Sequence, residues 1–284
     1  MDLNLNLNYL NNIKKSFTAN YKSWLFIVLS IILLSETNLT SGFVTFIILI
    51  VFAYLIHYYS HLKTSYPFNI THLYHHENNN FFSHFIQILL EFVALLSFIY
   101  TKYFAFHTEM LNEWVVIFFY FFYTTIHNIN YSIFHVNNVH ENHHKFRLLN
   151  MGPDICDIIF NTKYNLETDI ENTDHYIPNI IICLMITILL KKFWDQIENK
   201  EPYQNIFLHI FVGCFIILFV SSLYLWYEGK IQKEVCAKVE TTVDEELKSG
   251  TDIEANTNTN TNTDTNTNTN TDTNTNTNIT STTL

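Results

Sequence analysis

The apolar residues of this chain come in blocks, and the blocks predict six helices. The first run, 24–34, is short for a bilayer crossing of about 20 residues. It needs its flanks to span. The second, 43–56, is also short, but it continues without a helix breaker into His57-Tyr58-Tyr59-Ser60-His61. A third run, 81–106, is long enough to cross, and the fourth, 114–126, returns, so the two form a hairpin. Two further runs, 177–190 and 206–227, come after the polar stretch 145–175. The pattern predicts an all-α integral membrane protein with about four to six transmembrane helices.

The polar segments set the expected orientation. Residues 1–22 are Asn-rich and carry Lys14, Lys15 and Lys22 with no small-residue cleavage site behind them, which reads as a polar cytoplasmic tail. The loops 35–42 and 108–113 contain no Lys or Arg, so by the positive-inside rule they face away from the cytosol. The opposite ends of the first four runs are then cytosolic, with Pro67 marking a turn on that side and His107 on the far side. Lys191, Lys192 and Lys200 would lie in an outer loop, against the rule; spanning by both final runs is nevertheless preferred over a re-entrant pair. The membrane-embedded domain is read as 23–230, with a charged cytosolic segment at 231–250. From 251 to 284 an Asn/Thr alternation with almost nothing apolar to bury is expected to be disordered.

Composition sharpens this picture in three ways. The 25 Phe and 17 Tyr against 5 Gly and 4 Pro favour a membrane protein over an ordinary soluble one. The net charge of −11 comes largely from the stretch after 227 and from the segment between Asp154 and Glu201. With no basic stripe to neutralise phosphates, no nucleic-acid partner is expected. Cys156, Cys183, Cys214 and Cys236 are far apart and form no Cys-x-x-Cys, so they read as packing residues.

The candidate chemistry lies in three histidine clusters: His57/His61, His72/His75/His76 and His140/His143/His144. Histidine supplies 14 of 284 residues. At that frequency two His-x-x-His-His triplets arise by chance in roughly one sequence in two thousand. On a helix, positions i, i+3 and i+4 share a face, so each cluster presents its imidazoles in one direction. Eight imidazoles exceed one mononuclear site and suit two metals side by side. The hairpin topology delivers all three clusters to one membrane face, as a histidine-rich metal-binding cap on the cytosolic side. His127 and His135 are further candidate ligands. Glu91, mid-run in the third apolar segment, should face the bundle interior, and Asp154 and Asp157 are candidates to orient ligand imidazoles through their other ring nitrogen.

The order His-x-x-x-His, His-x-x-His-His, His-x-x-His-His, interleaved with hairpins, resembles the fatty acid hydroxylase/sterol desaturase superfamily. The resemblance covers about 43–165. It continues past His140-Glu-Asn-His-His through Asn150-Met-Gly152 and Asp157-Ile-Ile-Phe160-Asn161-Thr162, which is similar to the family's Asn-aromatic-Gly and Asp-x-x-Phe-Gly-Thr. Met151 replaces the family's aromatic residue and Asn161 its glycine; Asn tolerates the left-handed backbone better than other non-Gly residues. Asp157 matches the motif, which favours it over Asp154.

The resemblance implies a non-haem di-iron enzyme that uses O2 and two electrons to oxidise an unactivated C–H bond of a membrane lipid such as a fatty acyl chain or sterol. It implies no catalytic residue beyond the metal centre. Electrons would come from partners such as cytochrome b5 and its reductase, in an endoplasmic reticulum-like membrane. Hydroxylation is the leading expectation. A desaturase with the same metal centre is the alternative, and after it a non-catalytic metal-binding membrane protein.

Overall fold

The computed structural model describes residues 3–62, 69–78, 80–105, 108–164 and 170–254; Pro67, His107 and the Asn/Thr stretch from 255 onward lie outside them. Among the described residues there are ten α-helices and no strand. They are α1 (Leu3–Ala19), α2 (Tyr21–Leu34), α3 (Leu39–Ser60), α4 (Ile70–Glu77), α5 (Phe81–Tyr100), α6 (Glu113–Thr125), α7 (Asn138–Lys145), α8 (Asp154–Phe160), α9 (Ile177–Asp195) and α10 (Glu201–Glu254). By contacts the chain divides into residues 1–231 and 232–284; the described part of the second, up to Glu254, is helical.

Asparagine starts many of these helices, because its short carboxamide reaches backbone N–H groups that the first turn leaves unpaired. Asn38 accepts from Ser41 N, Asn80 from Ser83 N, Asn112 from Trp114 N and Val115 N, and Asn137 from Val139 N. The Asn80 and Ser83 side chains form a reciprocal capping box. Asn161 ends α8 at φ 56°, ψ 41°, in the left-handed region.

The main core is packed between α2, α3, α5, α6 and α9, around the fully buried Ile31, Leu49, Val115, Phe118 and Ile180. Among the described residues four segments are long and apolar enough to cross a membrane: Leu39–Ser60, Phe81–Ala105, Thr173–Asp195 and Glu201–Ile231. A fifth arises if the α1 and α2 pair, bent by 73°, counts as one span. The fourth apolar run, expected to return across the membrane, is not among these segments. Its α-helix has 13 residues, about 20 Å at 1.5 Å per residue, and runs directly into a π-helical turn at Ile126–Tyr131.

The two loops lacking Lys and Arg meet at one end of the bundle: Ser41 Oγ donates to Met110 O at 3.0 Å, and Asn112 Nδ2 donates to Ser35 Oγ at 3.2 Å. Lys191 belongs to the same end, donating to Leu34 O at 3.4 Å and lying 3.8 Å from Glu36. The N-terminal segment departs from a simple polar tail. Residues from Leu3 form α1, which packs on α8; Ser16, buried, donates to Asp154 Oδ2 at 3.0 Å. The helix ends at Asn20, whose Oδ1 accepts from Thr173 N and Oγ1, both at 2.9 Å.

Helices α2 and α3 touch closely at Gly42, where a Cβ would lie 1.9 Å from Ser35 Oγ and 2.6 Å from Ser35 Cβ. Rotating the hydroxyl cannot relieve the second clash. Gly42→Ala should therefore cost about 1–3 kcal/mol, the usual range for overpacking, and Ser35→Gly in the same chain should restore most of it. Thermal unfolding of the purified variants measures both effects.

Candidate metal centre

The three histidine clusters converge. His57 and His61 end α3, His72, His75 and His76 lie on α4, and His140, His143 and His144 lie on α7. Within this assembly His57, His61, His72, His76 and His143 form one group, each offering a ligand nitrogen within 4.8 Å of the others. His72 Nε2 lies 3.0 Å from His61 Nε2 and 3.2 Å from His76 Nε2. Two nitrogens bound to one ion at about 2.1 Å and 90–109° apart are separated by about 3.0–3.4 Å. The spacing is that of ligands sharing an ion.

A second group adjoins the first. His140 contacts His127 and His144, with ring centroids 4.9 and 4.5 Å away, and His75 lies 5.5 Å from His127 and 5.7 Å from His144. His140 and His144 bring their Nε2 atoms to 3.0 Å. The groups join where His76 stacks on His144 at 4.1 Å. His127 is thus part of the assembly. His135 is not in ring contact with it among the described residues; it is exposed, at φ 47°, on the rim of a polar opening beside His75, His140 and His144. His84, which the sequence pattern does not mark as a ligand, has its ring 5.4 Å from that of His75.

The imidazoles are held from behind. His57 Nδ1–H donates to Met151 O, His143 Nδ1–H to Leu149 O at 2.8 Å, His72 Nδ1–H to Gln87 Oε1 at 3.1 Å, and His127 Nδ1–H to Glu91 Oε1 at 2.5 Å. A carbonyl or carboxylate can only accept, so each bond fixes the tautomer and leaves Nε2 with a free lone pair. Seven buried nitrogens in the assembly have no partner among the described residues: Nε2 of His57, His127 and His143, both nitrogens of His75, and Nδ1 of His61 and His76. An unsatisfied buried polar atom costs about 1–3 kcal/mol, and folded proteins carry few. A concentration of them is explained if most are metal ligands.

Protonation agrees. Burial is the largest cause and nearby positive charge adds to it, holding His61 and His144 at about 4 and His143 at about 3; His72, His75, His76 and His140 are likewise pushed down. Near neutral pH these rings are uncharged, the state a metal requires.

Glu91 is buried at the centre of this support. Besides His127, its Oε1 accepts from Gln87 Nε2 at 3.0 Å and its Oε2 from Asn128 Nδ2 at 3.2 Å. Because Gln87 in turn receives His72, one carboxylate steadies an imidazole in each group. Gln87 is not among the residues that the sequence pattern singles out; the available signal is a second polar residue one helical turn before Glu91 in an apolar run.

Asp157 and Asp154 act differently from expectation, since neither bonds an imidazole among the described residues. Asp157 accepts from Met151 N at 2.8 Å, Gly152 N at 3.3 Å and Thr162 Oγ1 at 2.7 Å, bracing the loop whose carbonyls hold His57 and His143. Desolvation pushes its pKa up to about 7. Asp154 pairs with the buried Lys163 and with Ser16. The physical reason is that their oxygens are already committed, those of Asp157 to the loops flanking α8 and those of Asp154 to Lys163 and α1.

Of the cavities that meet the assembly among the described residues, two differ sharply in character. One, about 1010 Å³ including its open mouth, runs past His57, His127 and His140 along an apolar wall of Ile27, Phe46, Ile50, Phe119 and Phe122. The other is the polar opening, rimmed by Glu77, Asn78, Asn137 and Glu141.

Purified protein should carry close to two metal ions per chain by elemental analysis. His143→Ala should lower that content, whereas His209→Ala should not, since His209 is exposed and distant in sequence from every cluster. Asp157→Ala leaves two loop N–H groups without their acceptor, so it should cost about 1–3 kcal/mol and weaken metal retention about 10–100-fold. Competition with a chelator reads the second effect. No protein-family model, no curated protein and no solved structure matches this chain.

Proposed function

We propose that the chain is a membrane-embedded, O2-dependent lipid hydroxylase with a di-iron centre. The observation that carries this reading is the double group of imidazoles, free of carboxylate ligands, directly beside an apolar cavity in a bundle of membrane-length helices. Imidazole suits iron, zinc, copper and nickel. Among these, two irons supply the redox chemistry that, with O2 and two electrons, attacks an unactivated C–H bond.

A first iron would be held by residues from the group His57, His61, His72, His76 and His143, and a second by residues from His75, His127, His140 and His144. The apolar wall takes a hydrocarbon from the bilayer and keeps water from the reacting carbon. The polar opening lies on the other side of His75, His140 and His144, so protons and electrons arrive without crossing the lipid cavity. The electron donor is a separate protein of the cytochrome b5 and reductase type, docking at that cytosolic face. The membrane is one of the endoplasmic reticulum kind. The joined Lys/Arg-free loops at the other bundle end are non-cytosolic by the positive-inside rule, with Lys191 at that end running against it.

Two measurements test the proposal. Lipid mass spectrometry of cells expressing the chain should reveal a lipid that has gained one oxygen, absent with His143→Ala; a loss of two hydrogens would assign desaturation instead. With cysteines at the exposed positions Met110 and Glu141, an impermeant thiol reagent should label opposite membrane faces. Labelling from the same face would refute the orientation.

A further inference from the structure

The lipid cavity ends in a buried polar corner. Glu171, 4% exposed, accepts from Asn137 Nδ2 at 2.8 Å and Tyr131 OH on Oε1, and from Tyr176 OH at 3.1 Å on Oε2. A carboxylate offers about four lone-pair directions, so one on Oε2 remains open. Opposite in character is Asn20, 3% exposed. Its Oδ1 is committed to Thr173, while its Nδ2 donor has no hydrogen-bond partner among the described residues. Both residues line the cavity. Thr173, two residues after Glu171, bonds Asn20, so this part of the cavity wall carries an acceptor and a donor near each other, the complement of a hydroxyl group.

Charge narrows the choice further. Asp154, the other carboxylate on the cavity wall, is matched by Lys163, whose ammonium is withdrawn into that pair at 1% exposure. Glu171 is bonded to no Lys or Arg among the described residues; its nearest basic neighbour is His175 Nε2, 3.6 Å away. A fatty acid carboxylate or a phosphate would enter beside a buried acid that no Lys or Arg bonds directly, and like charges in an interface repel. The corner is also near the metal ligands, because the Tyr131 ring that donates to Glu171 stacks on His140 at 5.1 Å and 13°.

We propose that Glu171 and Asn20 select lipids whose head is an uncharged hydroxyl, exclude free fatty acids and phospholipids, and place the reacting carbon near that head. This rests on the lipid-oxidising reading for its chemistry, but it is tested by binding alone, so each can fail without the other.

Trp24 lines the same cavity. Quenching of its fluorescence in the purified full chain, with Trp24→Phe to isolate the signal, measures occupancy by a brominated long-chain primary alcohol and by the brominated fatty acid of equal length. The alcohol should bind at least about tenfold more tightly, a difference that corresponds to about 1.4 kcal/mol. Glu171→Gln removes the charge at constant shape and should narrow the ratio to within about threefold by strengthening the acid. Asn20→Asp keeps an oxygen for both Thr173 bonds but turns the free donor into a charged acceptor, and should weaken the alcohol about tenfold. Equal or tighter binding of the acid by the unmodified chain, no binding of either lipid, or a ratio unmoved by both substitutions would overturn the proposal.

Discussion

The structure depends on keeping the lone pairs of buried, neutral imidazoles aimed at one another. Left to themselves these rings would turn their nitrogens toward water or toward each other's protons. They are prevented by acceptors on the outer side: Met151 O behind His57, Leu149 O behind His143, Gln87 behind His72 and Glu91 behind His127. Each support comes from a different part of the chain than the ring it holds. The bundle, the 149–152 loop and α5 must therefore all be in place before the site exists.

That dependence explains much of the surrounding architecture. Asparagine caps start α3, α5, α6 and α7 at definite residues, which fixes the angular position of every histidine further along each helix. The π-helical turn after α6 buries His127, Asn128 and Asn130 together. An added residue in the turn rotates the facing of every later residue, and here it coincides with the point at which the helix leaves the apolar core for the metal centre. Glu91 then connects His127 with Gln87, so α5 serves the core on one face and the ligands on another.

Much of this was legible in the sequence where side-chain identity carries the information. Helical spacing within each cluster and the parity of the hairpins anticipated one assembly of histidines, and Asn161 does sit in a left-handed conformation. Backbone supports were not legible, because a carbonyl such as Met151 O has no signature in residue type. Spacing alone also could not separate His127 from His135, which precede His140 by 13 and 5 residues. Only the π-helical turn, and after it the left-handed backbone at His135, sends one ring inward and the other to the rim. Helix α1 was missed because asparagine alternates with leucine along its first half; among its described side chains, Ser16 anchors it by bonding Asp154.

Tyr54 ties these levels together. One turn before His57 on α3, it bonds Thr162 through its hydroxyl at 2.7 Å and stacks on Phe160 at 4.6 Å, while Gly152 packs against its ring face. The helix bearing His57 and the loop bearing the carbonyl that fixes it are consequently one mechanical unit. In a small zinc domain the ion alone organises the chain; here the packing around Tyr54 shares that task. An ion taken up at these histidines would meet a partly built socket, and discrimination among metals would then lean on the distances between nitrogens.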